Sequence, residues 1–354
     1  MTYWPNTRLC DLLDIEHPII QAPMAGAATP AMAAEASNAG GLGSLGCAGM
    51  TINGILAVAV ETHAMSNRSL NLNFFCHQSP KMDVIKAKAA QERMKPWFDR
   101  LDAGVVPDVV ESYFPFNSDI CDAVLEASPK VASFHFGLPD ETLVLRLKDA
   151  GIVILSSATS SAEAKWLVER GTDAVIAQGY EAGGHNCWFL PRNGAEVTGT
   201  MALVPRVVDA VDCPVIAAGG IEDGRGIAAA FALGASGVQI GTAFLATPES
   251  AVSDVHKESL IKATGDDTQY CRAFSVRDAR TIVNDFSREM NGVADLPDFP
   301  LMNTLTGPLR AASAKAGRPD AMSLWAGQGA GLVCKSTTRE VFDRLVQQAQ
   351  TIFG

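Results

Sequence analysis

Short apolar runs alternate with amphipathic, Ala- and Glu-rich stretches through the first 250 residues of the chain. Runs that are continuously apolar, without polar alternation, are typical of strands in a parallel sheet that is covered on both faces. Eight such runs are found, and they predict eight strands. Their positions are 17–24, 41–47, 70–76, 131–137, 152–159, 174–179, 214–220 and 237–244.

The stretches between the runs have the signals of helices. In 160–171 a Ser precedes an amphipathic segment and a Gly follows it, and 224–234 has the same form. Eight strands in steady alternation with helices predict an α/β fold of the TIM (β/α)8 barrel type. The alternative is a doubly wound open sheet, but no GxGxxG follows the first strand, and the glycine-rich 40–46 has the wrong spacing for one.

The alternation breaks down after Phe244. Residues 248–320 are partly helical and interrupted by prolines, and they are too long for an ordinary barrel loop. We therefore predict a smaller second domain at 248–320, inserted after strand eight, and a barrel formed by 1–247 and 321–354. The amphipathic segment near the end, "TREVFDRLVQQAQTIF", predicts a closing helix of the barrel.

Composition narrows the possible partners and the compartment. The net charge of −11 argues against nucleic acid and anionic membranes as partners. No apolar run reaches 18 residues and no secretory signal is recognisable at the start, so we expect no membrane association. The eight cysteines are scattered without a CxxC pair, and the histidines show no ligand spacing. We predict a cytoplasmic monomer or homodimer without a metal site.

Glycines follow strands seven and eight, where TIM barrels commonly bind a phosphate. Gly219-Gly220 would let backbone N–H groups approach such a group closely, and the helix that begins near Gly224 would direct its positive end there. Gly241-Thr242 would add a second backbone patch and a hydroxyl. The alternative is that these glycines only form tight turns.

Uncharged polar residues occupy the strand ends. Together they favour a flat heterocycle with carbonyls and ring nitrogens over a sugar or a metal. Each of them alone would be a hydrogen-bonded core amide. The residues are Gln21, Asn71, Asn73, Gln178 and Gln239, and the apolar Met24 ends strand one beside Gln21.

His185 follows Gly183-Gly184 in the loop after strand six, so it should lie at the rim beside that heterocycle. A histidine that titrates near neutral pH is suited to act as a general base or acid, although a structural bond to a backbone carbonyl is the alternative. His135 ends strand four and is predicted to be packed or to face the substrate. Cys187 is not expected to be a nucleophile.

Seven segments resemble class I nitronate monooxygenases, formerly called 2-nitropropane dioxygenases, and they span nearly the whole chain. These are "PIIQAPMAG", "SNAGGLGSLG", "NLNFFCH", "VASFHFGLP", "AQGYEAGGH", "AAGGIEDGRGIAAAFALGASGVQIGTAFL" and "LWAGQGAGL". The resemblance implies a TIM barrel that holds FMN non-covalently, with His185 as the catalytic residue. The FMN contacts that it implies are Ala22, Met24, Asn73, Gln178, Gly183, Gly220, Gln239, Ile240, Gly241 and Thr242, to which the glycine argument adds Gly219.

The resemblance also implies the reaction. Alkyl nitronates, propionate 3-nitronate notably, and nitroalkanes would be oxidised by O2 to a carbonyl product and nitrite, through one-electron transfer to the flavin. Asn186-Cys187 stands where many members have Arg-Gly, a difference that bears on substrate shape. The alternatives are an NAD(P)H-dependent flavin reductase of the enoyl- or quinone-reductase type, a non-catalytic flavin or phosphometabolite binder, and a dehydrogenase with a catalytic Cys.

Overall fold

The computed structural model describes residues 4–111, 113–192 and 197–354. Within these ranges the strands, in chain order, are β1 (Ile19–Gln21), β2 (Gly43–Gly46), β3 (Leu70–Phe75), β4 (Val131–His135), β5 (Val153–Ala158), β6 (Ala174–Gln178), β7 (Gly184–His185), β8 (Val215–Ala218), β9 (Gly237–Ile240), β10 (Thr268–Cys271) and β11 (Ala279–Ile282).

Helices follow most of the strands. They are α1 (Arg8–Leu13), α2 (Pro30–Asn38), α3 (Ile52–Met65), α4 (Val84–Leu101), α5 (Ser118–Ala127), α6 (Glu141–Asp149), α7 (Ser161–Val168), α8 (Thr200–Val208), α9 (Gly224–Ala232), α10 (Thr242–Leu245), α11 (Asp254–Lys262), α12 (Asp285–Met290), α13 (Met302–Lys315) and α14 (Thr338–Phe353), with a 3₁₀ helix at Gln328–Leu332. Among the described residues, no helix is long and apolar enough to cross a membrane.

Eight parallel strands form the TIM barrel that the sequence pattern predicts. Their order is β1-β9-β8-β6-β5-β4-β3-β2, and a bridge between Ile20 and Leu42 joins the two ends. All eight predicted strands are confirmed, although the observed strands are shorter. The prediction of strand at 237–244 is wrong at its end, because the strand stops at Ile240 and α10 begins at Thr242. A short apolar run such as "TAFL" does not distinguish the two structures by periodicity.

Alternate strand residues point into the barrel, and the polarity of these inward residues differs between its two ends. At the amino end the interior is apolar, with Ile20, Val131 and Ile216 packed against Leu9 and Leu13 of α1. At the carboxyl end the inward positions are polar and uncharged. They include Asn73, Ser133, Ser157 and Gln178, all buried, whereas Asn71 lies deeper, beside Val131. The polar end is the one at which TIM barrels carry their active sites.

A second, antiparallel sheet in the order β10-β11-β7 lies beside the barrel. Its strand β7 comes from the loop after β6, so the two parts are joined at that loop. The core next to it packs α4 against α12 and α13, with Trp97, Phe274, Phe286 and Leu305 fully buried. The smaller domain inserted after the last barrel strand thus has its own core, which α4 shares. The limits at 247/248 and 320/321 stay a prediction.

Candidate functional site

Backbone segments from the loops after β6 and β9 and from 326–328 meet closely at the carboxyl end of the barrel. The Gly327 N–H donates to Thr242 Oγ1 at 3.0 Å, and the Gln328 N–H donates to the Glu181 carbonyl at 2.9 Å. A methyl group on Gly183 would lie 2.6 Å from the Ala326 carbonyl carbon. Only glycine permits this approach, so Gly183 is required for the packing of the loop after β6 against 326–328.

Free backbone donors lie in the loops after β8 and β9. Gly219 and Gly220 have φ of +109° and +71°, a region that favours glycine. The N–H groups of Gly219, Gly220, Gly241 and Thr242 donate to no other residue of the described ranges. Such unpaired backbone donors fit the oxygens of a phosphate.

The N–H groups at the start of α9, the helix after this glycine loop, already have hydrogen-bond partners. At the start of α9, the Asp223 carboxylate accepts from the N–H groups of Arg225 and Gly226 at 2.9 and 3.2 Å. The Gly224 N–H donates to Gln348 Oε1 at 3.0 Å. The chain thus caps these three N–H groups itself, and the prediction that the positive end of this helix faces a phosphate stays a prediction.

The loop after β1 adjoins the loop after β9. A methyl on Gly241 would lie 3.4 Å from the Ala22 Cβ and 3.6 Å from the Met24 sulfur. The Ile240 carbonyl accepts from the Ala22 N–H at 2.8 Å, and the Ile240 side chain packs into the core between barrel and helices. Ile240 thus offers a ligand only its backbone.

The amide side chains predicted at the strand ends differ in whether their polar atoms have hydrogen-bond partners. Gln239 Oε1 is buried without a partner among the described residues, and Asn71 Oδ1 is in the same state. The Asn73 amide donates to Ser133 Oγ at 2.9 Å. An unpaired buried polar atom costs about 1–3 kcal/mol. A ligand in the barrel mouth that donates a hydrogen bond to Gln239 Oε1 would remove this cost.

Two of the predicted amide side chains already form hydrogen bonds with protein atoms. Gln178 donates from Nε2 to the His185 carbonyl at 3.1 Å and accepts at Oε1 from the Cys187 N–H at 2.8 Å. Gln21 Oε1 accepts from the Ser44 N–H at 2.8 Å. The Gln178 side chain therefore holds the loop that carries His185, and the cofactor contact predicted for Gln178 stays a prediction.

His185 is held by the small sheet, in which it pairs with Ala279 of β11. Its Nε2 lies 2.8 Å from Ser275 Oγ. Its Nδ1 makes no hydrogen bond to a described residue, and this nitrogen is not buried. Four aromatic rings surround the imidazole, with centroids 5.5–6.4 Å away, and they are Phe75, Phe136, Phe299 and Trp325.

This enclosure lowers the pKa of His185 to about 3. Desolvation is the largest cause, and the charges of His135, Arg277 and Arg310 add to it. The imidazole is therefore neutral at pH 7, so Nδ1 has a lone pair available to accept a proton.

His135 lies beneath the His185 loop. Its Nε2 is 3.2 Å from the His185 carbonyl, and its Nδ1 is 3.4 Å from Ser157 Oγ. Desolvation lowers its pKa to about 4. Both ring nitrogens contact protein atoms, so these contacts favour a supporting role over the predicted substrate contact.

Arg277, two residues after Ser275, lies at the site although the sequence did not predict it. Its guanidinium carbon is 3.8 Å from the ring centre of Phe136 and 4.7 Å from that of Trp188, and its Nη2 donates to the Trp188 carbonyl. Desolvation lowers its pKa to about 10. The only signal was the "SVRDAR" segment, two arginines around an aspartate.

Asn186 and Cys187 pack behind the site. The Asn186 amide donates to the Tyr270 hydroxyl at 2.8 Å, and Arg192 donates to the Asn186 Oδ1. Cys187 is fully buried, and desolvation raises the pKa of its thiol well above the ordinary value. A thiol held neutral is a poor nucleophile. Among the described residues no group of three or more His, Cys, Asp or Glu could hold a metal ion.

Comparison with known proteins agrees with this architecture. The family model described as nitronate monooxygenase matches residues 6–348. A probable nitronate monooxygenase of Staphylococcus aureus is 37% identical over 353 residues, 99% of each chain. The structure of nitroalkane oxidase from Streptomyces ansochromogenes aligns with a TM-score of 0.88 at 35% identity, covering 97% of this chain and 98% of that one. FabK from Thermotoga maritima aligns with a TM-score of 0.75 at 30% identity, covering 98% and 96%. The chain therefore belongs to the nitronate monooxygenase family of oxidoreductase enzymes.

Proposed function

We propose that the protein oxidises alkyl nitronates, propionate 3-nitronate among them, with O2 and bound FMN to a carbonyl product and nitrite. The observation that carries this proposal is the position of His185. A neutral imidazole with an accessible Nδ1 lies in an aromatic enclosure at the same end of the barrel as four unpaired backbone N–H groups.

The residues present fit FMN. The N–H groups of Gly219, Gly220, Gly241 and Thr242 would bind its phosphate, and the unpaired Gln239 Oε1 would accept from the ring system. Asn73, Ala22, Met24 and the backbones of Gly183, Gln178 and Ile240 would line the rest of the site. When bound, FMN would supply electron transfer from the nitronate and the reaction with O2.

The protein's own part is proton handling and exclusion of water. When a neutral nitroalkane is offered, His185 Nδ1 would take the proton from the carbon next to the nitro group. Ser275 Oγ, at 2.8 Å, would accept the hydrogen of Nε2 and so leave the lone pair on Nδ1. The rings of Phe136, Phe299 and Trp325 would keep water from the reacting carbon.

The test is to measure oxygen consumption by the purified protein. We expect a yellow protein that releases FMN on denaturation and consumes O2 with propionate 3-nitronate in the absence of NAD(P)H. Colourless protein that takes up no added flavin would contradict the cofactor assignment. Rapid bleaching by NADH or NADPH without air would favour the flavin-reductase alternative, and a flavin-bound protein inert to every nitronate would favour a non-catalytic binder.

A further inference from the structure

Glu222, in the loop after β8, is a buried carboxyl that the proposed reaction does not use. It follows the glycine pair Gly219-Gly220 by two residues, and only 6% of its surface is exposed. Among the described residues, no Lys, Arg or His nitrogen lies within 4.0 Å of its carboxylate. A buried carboxyl without a cation is favoured in its protonated form, because burial penalises the charge.

The Glu222 carboxyl adjoins the loop after β9 as well as its own. The Thr242 hydroxyl and the Ala243 N–H lie close enough to interact with it. The 3₁₀ helix covers the side chain, since a methyl on Gly329 would lie 2.3 Å from Glu222 Cγ and 3.1 Å from its Oε1. Oε2 is buried without a partner, whereas Oε1, which also has no hydrogen bond to a described residue, is not buried. The carboxyl thus contacts both loops that carry the four unpaired N–H groups, and one of its oxygens is accessible.

The surroundings of Glu222 favour its proton. Burial is the largest effect and raises the pKa of the carboxyl to about 8, and the charge of Asp223 at the start of α9 acts in the same direction. The Ala243 N–H and the Thr242 hydroxyl offset only part of this rise in pKa. Arg225 is paired with Asp223 at 2.5 Å, and its side chain is 75% exposed. Neither α10 nor the 3₁₀ helix contains a titratable residue. Glu222 is therefore neutral at pH 7 and ionises in mildly alkaline solution.

We propose that Glu222 controls how tightly the protein binds the phosphate of its flavin: the neutral carboxyl permits binding, and the ionised carboxylate repels the phosphate. The proposal rests on the proposed function only in that the ligand of the two loops is FMN. Gly220 and Glu222 are two residues apart, a span of at most about 7 Å between their Cα atoms. At about 7 Å and an effective dielectric constant of about 20, repulsion between two unit charges weakens binding by about 50-fold, and salt reduces this effect.

The experiment compares FMN with riboflavin, which has the same ring system but no phosphate. Full-length protein loaded with either flavin is diluted stepwise at pH 7.0 and at pH 9.5, and the released flavin is measured by its fluorescence. The ratio of the two dissociation constants isolates the contribution of the phosphate, whose own charge hardly changes in this range because its second pKa is about 6. In the wild type we expect FMN to lose about 10-fold in affinity relative to riboflavin between the two pH values.

Glu222→Gln cannot ionise, so its ratio should be the same at both pH values. Glu222→Met, of similar volume and also uncharged, serves the same purpose if the glutamine variant folds poorly. Glu169→Gln is the matched control, because it removes an exposed carboxylate from the end of α7, and it should lose as much as the wild type.

A wild-type ratio that does not change with pH, or an equal change in the variants of Glu222, would overturn the proposal and leave the cofactor assignment standing. Protein that binds neither flavin at pH 7.0 would refute the cofactor assignment and the role of Glu222 together. The expected loss in a protein that oxidises no nitronate would support the role of Glu222 and refute only the proposed reaction.

Discussion

At the residue scale, the two nitrogens of His185 have different surroundings. Nε2 faces Ser275 Oγ, and Nδ1 faces accessible space among the aromatic rings. We expect His185→Asn to keep FMN and to lose at least about 100-fold in kcat on neutral nitroethane, the lower end of general-base contributions. Turnover of the preformed nitronate, which has no proton to lose, should fall far less.

Steady-state oxygen uptake with the two substrates at one pH checks this prediction. Flavin content by absorbance is the control for folding of the variant. Similar losses on nitroethane and on its nitronate would show that His185 is not the base.

The lowered pKa of His185 predicts how nitroalkane turnover depends on pH. The base works when unprotonated, and desolvation keeps it so above a pKa of about 3. Its contribution should therefore be constant from pH 9 down to about 5. A profile of kcat/KM for nitroethane should show no inflection near 6.5, the ordinary pKa of histidine. A loss of activity centred near 6.5, absent from the nitronate profile, would contradict the enclosed geometry of the imidazole.

At the scale of elements, Glu163 joins α7 to the segment that follows His185. The carboxylate is buried, and one oxygen accepts from the N–H groups of Phe189 and Leu190 at 2.7 and 3.1 Å. The other accepts from the N–H and hydroxyl of Thr159, both at 2.7 Å. In Glu163→Gln, the side-chain NH2 group would face one of these two pairs of donors and could accept no hydrogen bond from it.

We therefore expect Glu163→Gln to lower the free energy of unfolding by about 2 kcal/mol, within the range for hydrogen bonds to charged groups. Turnover should fall as well, because the loop from His185 to Leu190 loses its anchor. Urea denaturation with matched activity assays measures both. Glu169→Gln is the control, since Glu169 at the end of the same helix is exposed. Equal stability of the two variants would contradict the anchoring role.

The sequence predicted elements that depend on local pattern and missed those that depend on distant pairing. The eight barrel strands are apolar runs, so periodicity revealed them. Because active sites of TIM barrels lie at the carboxyl ends of the strands, the loops with His185 and the glycines could then be predicted as the site. Strand β7 has two residues, and it exists because Gly184 and His185 pair with Arg280 and Ala279, nearly a hundred residues away. For the same reason Ser275 and Arg277 could not be assigned to the site: their segment reads as irregular, and tertiary pairing alone brings it there.

At the scale of the whole molecule, the barrel meets 326–328 through Gly183. A methyl at this position would lie 2.6 Å from the Ala326 carbonyl carbon and the Gly327 nitrogen, both backbone atoms that cannot rotate away. We expect Gly183→Ala to weaken FMN binding by at least about 10-fold, because the displaced backbone adjoins Thr242. Flavin fluorescence titration of the deflavinated protein measures it. Gly307→Ala, where the nearest atom is 3.8 Å away, is the control and should bind FMN normally. Unchanged affinity in Gly183→Ala would refute the close packing.

The stability of the whole molecule should depend on pH through its buried histidines. Desolvation lowers the pKa of His185 to about 3 and those of His135 and His256 to about 4. In the unfolded chain these groups titrate near 6.5, so below that pH the unfolded state binds more protons and stability falls as pH falls. Each such proton contributes a slope of about 1.4 kcal/mol per pH unit.

Glu222 has the opposite effect on how stability depends on pH. Burial raises its pKa from 4.5 to about 8, so above pH 4.5 the folded state holds a proton that the unfolded state lacks, and stability falls as pH rises towards 8. Near pH 5.5 the three histidines outweigh this one carboxyl. The melting temperature should therefore drop between pH 6.5 and 4.5, and it should drop more steeply in Glu222→Gln, which removes the opposing proton. Thermal melts of both proteins across this range measure the difference, and parallel profiles would show that Glu222 is not held protonated in the fold.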